Sequence, residues 1–233
     1  MDVTPRLGVA IPRTVDFTSD EGRTVTMATY GGRPTLLTFN YTSCPLLCSL
    51  QLASLATTLK ELRMRPGRDF DVVTLSIDPE ETLARLKGAK LVHVREAGGT
   101  PEVAAGWHFL AGSASSIAAI TEAAGFHYRR DPQTNELRHK ATLVILTPDG
   151  VISSYLHGLG YDTAELTAAL ARAGRGEIAD APNSSLTGFL LNCFQYDPKD
   201  HAPLALLVMR LGGLLALAFL LVVVGVFGTR ELR

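Results

Sequence analysis

The chain has 233 residues, enough for one domain of ordinary size and a further segment. Its 22 Lys and Arg balance 23 Asp and Glu, which leaves no electrostatic case for nucleic acid. Three cysteines are too few to build a fold from disulfides; Cys44 and Cys48 lie close together and Cys193 is remote, so they mark a site rather than a scaffold.

Residues 1–6 carry neither the basic stretch nor the apolar run of an export leader. Residues 12–23 and 24–27 read as two short strands turning at Asp20-Glu21-Gly22. Gly31-Gly32-Arg33-Pro34 turns the chain into residues 34–40, an apolar run that reads as a buried strand. Cys44 and Cys48 follow at a strand-to-helix turn, and residues 49–59 read as a helix with leucines near helical spacing. If this helix begins at about Pro45, which suits its first turn, both sulfurs fall on one face. The helix N-terminus is then expected to lower both thiol pKa values.

Residues 70–77 read as a second buried strand, ended by Asp78-Pro79. Residues 80–90 have helical composition, and Gly98-Gly99-Thr100-Pro101 breaks the chain. A short strand is expected over 106–110, and an alanine-rich helix over 113–125 closed by Gly125. Residues 126–129 and 137–139 flank the polar loop 131–135. Residues 141–146 and 151–156 read as a third and a fourth strand around Pro148-Asp149-Gly150, and residues 163–173 as a helix. Parallel β-α-β crossings followed by a late hairpin and a helix predict an α/β fold, a thioredoxin-like three-layer sandwich over residues 5–174. The buried strands read as apolar throughout, as expected when helices cover both faces.

Residues 175–203 read as a polar connector, and residues 204–228 as a single C-terminal transmembrane helix. Within it, the 18 residues 211–228 carry no charge and would span roughly 27 Å. Arg210 can snorkel to the interface. Lys199 and Arg210 precede the run and Arg230 and Arg233 follow it, so the charge count does not set its orientation.

A Cys-x3-Cys pair alone is also compatible with two small buried apolar residues. Its place at the start of a helix favours sulfur chemistry, which divides into two readings. A thioredoxin-type dithiol is usually spaced Cys-x-x-Cys and faced by a proline just before the next antiparallel strand. Here Arg138-His139-Lys140-Ala141 puts a histidine at that place. Two thiolates and an imidazole form a soft three-donor set that suits Cu(I) and can accommodate Cu(II), whereas zinc usually asks for a fourth ligand.

With these residues in view, residues 10–173 resemble the SCO/SenC copper-binding proteins, which assist assembly of the CuA centre of cytochrome c oxidase. Tyr41-Thr42-Ser43-Cys44-Pro45-Leu46-Leu47-Cys48 resembles the family's copper loop, and Ser76-Ile77-Asp78-Pro79 its Asp-Pro turn. Trp107-His108-Phe109-Leu110 resembles a further signature, and His139, ahead of residues 143–150, matches the copper histidine. The resemblance implies a copper metallochaperone with Cys44, Cys48 and His139 as ligands of Cu(I) or Cu(II). It implies oxidase subunit II, or another cuproprotein, as the acceptor. It also implies a soluble domain held at the membrane on the periplasmic, extracytoplasmic side, a location that calls for an export signal. The chain departs from the family where Leu46 and Leu47 replace a loop residue that is often acidic, and in a C-terminal rather than N-terminal anchor. Residues 191–198 resemble the tail of a bacterial subgroup with such an anchor.

Nothing in this pattern requires turnover of a substrate. The competing reading is a thiol-disulfide oxidoreductase in which Cys44 and Cys48 form a redox pair acting on the acceptor's cysteines; a structural subunit of a respiratory assembly rests on the anchor alone. Asp78 either tunes the site from beside a ligand or caps the turn before Pro79. His108 is expected to pack around Trp107, and His93, His127, His157 and His201 to lie on the surface or in loops. Cys193 reads as an incidental or structural thiol. Arg129, Arg130, Arg138 and Lys140 form a solvated surface or a docking face for an acidic partner. The loop 131–138 is expected to move, bringing His139 on and off.

Overall fold

The computed structural model describes residues 3–44 and 47–179. Strands β1 (Asp16–Ser19) and β2 (Thr24–Thr26) form the first antiparallel pair, and a 3-10 turn (Met27–Tyr30) leads towards β3 (Thr35–Asn40). Helix α1 (Leu47–Glu61) follows, then β4 (Asp71–Ser76), α2 (Leu83–Glu96), the short α3 (Pro101–Gly106) and β5 (Trp107–Ala111). Helix α4 (Ala114–Ala123) precedes the hairpin β6 (Arg129–Arg130) and β7 (Leu137–Arg138). Strands β8 (Thr142–Leu146) and β9 (Ile152–His157) and helix α5 (Thr163–Gly174) complete the order.

One seven-stranded sheet runs β2-β1-β5-β4-β3-β8-β9. β3, β4 and β5 are parallel, and β8 is antiparallel to β3. Every residue of β3, β4 and β8 is buried, as expected of strands covered on both faces. Period-two alternation divides their side chains between two cores. Leu36, Val72, Trp107, Phe109 and Leu143 face a layer with Leu55 and Leu59 of α1, Leu86 of α2 and Leu170 of α5. Leu37, Phe39, Val73, Leu75 and Val144 face Ile117 and Ile120 of α4, the N-terminal segment and Leu137 of the hairpin. The layers are those of a thioredoxin-like sandwich.

Several boundaries moved from the sequence expectation. α1 starts at Leu47, two residues after Pro45, which lies outside the described residues. α2 starts at Leu83 and runs to Glu96, because Thr82, not the Asp-Pro turn, caps it: its hydroxyl accepts the Arg85 amide at 3.3 Å. α3, capped by Thr100 with Pro101 in its first turn, was not foreseen. Gly125 does close α4. At φ 60° its amide bonds the Glu122 carbonyl at 3.0 Å, and the Phe126 amide bonds that of Thr121 at 2.8 Å, a Schellman ending.

Beyond α5 the connector begins by lying along β9, where the Ala179 amide donates to the Ser153 carbonyl at 2.8 Å. The rest of the connector, Cys193, His201 and the expected membrane helix over 204–228 fall outside the described residues. Among the described residues no helix is long and apolar enough to cross a membrane.

Candidate metal centre

β3 carries the chain to Tyr41, whose carbonyl accepts the Cys44 amide at 3.3 Å and so closes a turn over residues 41–44. α1 then presents Cys48 in its first turn, 2 % exposed, with its amide donating to Cys44 Sγ at 3.3 Å. Cys44 and Cys48 are thiols, not a disulfide, and Cys44 is the more exposed. From the segment between β7 and β8, His139 places Nε2 3.2 Å from Cys48 Sγ. Its Nδ1 lies 3.2 Å from the Lys140 carbonyl. A carbonyl only accepts, so in the neutral ring Nδ1 carries the hydrogen and Nε2 turns its lone pair to the sulfur.

The imidazole is wedged between Phe126, at 5.7 Å between ring centroids, and the edge of Tyr41 at 6.2 Å. That burial lowers the His139 pKa, which keeps the ring neutral and able to donate a lone pair at pH 7. Cys48 goes the other way from the sequence expectation. The hydrogen-bonding neighbour Cys44, and then burial, push its thiol up. Two sulfurs this close do not both ionise unless a cation joins them.

The three residues singled out from the sequence therefore converge: Cys48 meets His139 directly, and Cys44 reaches Cys48 through the backbone amide. Among the described residues no three His, Cys, Asp or Glu side chains are grouped as a ready-made ion cage. The donor set itself, two thiols and a neutral imidazole in an apolar surround, fits a soft monovalent ion better than a hard one.

Asp78, 7 % exposed, takes the turn-capping role. Its Oδ1 accepts the Glu80 amide at 3.2 Å, capping the turn, and faces Arg130 Nη2 of the hairpin at 3.4 Å. Arg138 is likewise engaged, paired with Asp131 at 2.9 Å within the hairpin. The loop 131–138 is tied across its base by the Asp131 amide to the Glu136 carbonyl at 2.7 Å.

Three contributors escaped the sequence reading. Glu81 receives the Thr42 amide at 2.9 Å, the Thr42 hydroxyl at 2.6 Å and the Ser76 hydroxyl at 3.0 Å, tying the cysteine loop to the turn after β4. Asn40 donates to Gln51 at 3.1 Å, and Gln51, three residues beyond Cys48 on α1, donates to the Thr142 carbonyl and the Tyr161 hydroxyl. That buried chain fixes the rotation of α1 and hence the direction of Cys48. Their partners are far away in sequence, so no local pattern marks them.

Two histidines were misplaced. Neighbouring residues on a strand face opposite ways, so His108 lies away from Trp107 and packs on Tyr30 at 4.4 Å instead. His93, expected at the surface, is 8 % exposed and stacks on Trp107 at 6.0 Å from α2. His127 and His157 are exposed as expected.

A thioredoxin-like sheet, a thiol pair just beyond one of its interior strands and a histidine facing the pair define a protein of thiol or soft-metal chemistry. The SCO1/SenC family model matches residues 6–174, and the chain belongs to that family. It is 27 % identical over 141 residues to the mitochondrial protein SCO2 homolog of Bos taurus, covering 58 % of this chain and 49 % of that one. It spans about half the length of the curated relatives it matches. A crystal structure from Aquifex aeolicus VF5 is 28 % identical, with TM-score 0.64, over 74 % of this chain and 96 % of that one. Bradyrhizobium japonicum ScoI with copper bound is 23 % identical, with TM-score 0.55, over 71 % of this chain and 99 % of that one, a likeness of fold.

Proposed function

We propose that the protein is a copper metallochaperone in which Cys44, Cys48 and His139 hold the ion, with Asp78 steadying the hairpin that carries His139. The observation that carries this reading is the 3.2 Å approach of His139 Nε2 to Cys48 Sγ with Cys44 Sγ bonded to the same turn. Family membership supports it, as do relatives such as Bradyrhizobium japonicum ScoI, whose structure holds copper. Copper is the cargo: the two thiols lose their protons to it, and His139 gives its Nε2 lone pair. Release asks His139 to swing away with the loop 131–138, so that acceptor thiolates replace the ligands one at a time.

The acceptor we propose is the CuA domain of cytochrome c oxidase subunit II or another cuproprotein. We place the domain outside the cytoplasm, held to the membrane by residues 204–228, on the strength of the uncharged run 211–228. Mixing the copper-loaded protein with a copper-free CuA domain tests the delivery. Growth of the acceptor's purple mixed-valence absorption supports it; an acceptor that stays colourless with all copper retained contradicts it.

A second reading rests on the same pair. A partly exposed Cys44 one turn from a buried Cys48 has the asymmetry of a dithiol that reduces a partner's disulfide. It differs in not needing His139. Reduction of a disulfide-bonded acceptor at the same rate by wild type and His139→Ala would favour this role.

A further inference from the structure

Glu81 has an environment that its position in the sequence does not explain. Its carboxylate lies beside the start of α2, yet most of its hydrogen bonds point away from that helix. Oε2 accepts the Thr42 amide at 2.9 Å and the Ser76 hydroxyl at 3.0 Å. Oε1 accepts the Thr42 hydroxyl at 2.6 Å and the Thr82 amide at 3.2 Å. Four donors fill the acceptor sites of one carboxylate.

The segment held is the one that positions Cys44. Thr42 stands at the second position of the turn that the Cys44 amide closes onto the Tyr41 carbonyl at 3.3 Å. Cys48 is oriented by α1 and Gln51, but Cys44 precedes the helix. Its place therefore depends on where Thr42 is held. We propose that Glu81 is a positioning residue that clamps Thr42 to the turn after β4 and thereby sets the approach of Cys44 to Cys48. This rests on Cys44 and Cys48 being the working thiols, whether they carry copper or electrons.

The geometry demands a carboxylate. Each of its two oxygens receives a backbone amide, from Thr42 on one side and Thr82 on the other. A glutamine must turn its NH2 towards one of them. The Ser76 or Thr42 hydroxyl on that side can turn and accept, but the backbone amide cannot, so one donor is opposed whichever way the amide is flipped. Glu81→Gln therefore keeps the shape and breaks the clamp. Thr42→Val keeps the Thr42 amide and removes only the hydroxyl.

The test reads the ratio of alkylation rates at Cys44 and Cys48 in the reduced, copper-free protein, resolved by peptide mass spectrometry. Global opening exposes both thiols alike and speeds the buried Cys48 most. A change therefore counts for the clamp only where it comes from the Cys44 rate with the Cys48 rate unchanged, and the ratio is read on that condition. Glu81→Gln is expected to change it by about tenfold and to weaken copper binding by on the order of tenfold. Thr42→Ser, which keeps both donors, should match wild type. Thr42→Val should change the ratio less than Glu81→Gln, and the double variant should fall short of the product of the two. A ratio within twofold of wild type in Glu81→Gln, or strictly multiplicative effects in the double variant, would overturn the clamp. Because the ratio is read without metal, a shifted ratio in a protein that binds no copper upholds the clamp and removes the copper reading alone.

Discussion

Cys44 and Cys48 sit four residues apart in surroundings that make them unequal partners. Cys48 is 2 % exposed and its thiol is pushed up by the neighbouring Cys44 and by burial, whereas Cys44 is partly exposed in the loop ahead of α1. Limited alkylation of the copper-free protein should therefore label Cys44 first, by about tenfold or more. Equal labelling would place Cys48 at the surface and contradict the site as described. Tyr161 offers a separate check on the chain that orients Cys48. Burial raises its pKa to about 12, while its hydroxyl accepts from Gln51 at 3.1 Å. A tyrosine raised in the folded state stabilises it fully below pH 10 and loses that contribution as the pH rises to 12, by up to about 2–3 kcal/mol. Urea titrations across that window should show a smaller loss for Tyr161→Phe than for wild type; an identical loss would mean that Tyr161 ionises freely.

At the scale of elements, the strands were legible because each is buried on both faces and carries a short apolar run, Leu36-Leu37 in β3, Val72-Val73 in β4 and Leu143 to Leu146 in β8. Residues 34–40 and 70–77 announced β3 and β4 almost to the residue. α3 gives no signal because six residues carry too little periodicity, and its cap Thr100 sits within the Gly98-Gly99-Thr100-Pro101 break. The site divided in the same way. Cys44, Cys48 and His139 could be found because sulfur and imidazole are rare and chemically distinctive, while Glu81 is one acid among 23 Asp and Glu and shows its role only through Thr42, 39 residues away. The ending of α4 depends on a backbone that few residues accept. Gly125 has φ 60°, and a Cβ there would run into the Thr4 carbonyl oxygen. Gly125→Ala should cost about 2 kcal/mol or more in urea unfolding, and a cost near zero would mean that the junction relaxes freely. The hairpin limits how the basic surface can be tested. Arg130 and Arg138 are paired with Asp78 and Asp131, so reversing their charge also disturbs His139. Arg129, opposite Arg138 on β6, is the cleaner probe. Arg129→Glu should slow copper transfer at low salt and less at high salt if this face docks an acidic acceptor, and an unchanged rate would remove that role.

Across the whole molecule, two apolar cores clamp a sheet whose β3 end and β7–β8 loop meet over one thiol. The fold thereby brings together one donor from a helix, Cys48 on α1, and one from the segment between β7 and β8, His139. Ligand binding to the folded state alone raises its stability, so free Cu(I) at a hundred times its dissociation constant should add about 2.7 kcal/mol. That gain should shrink in Cys44→Ser and His139→Ala. The most direct measurement of the central claim is the copper stoichiometry and visible spectrum of the domain, wild type beside His139→Ala. The expected result is one copper per chain, with a thiolate-to-Cu(II) charge-transfer band that collapses in the variant. Equal stoichiometry and an unchanged band in His139→Ala would contradict the three-ligand site.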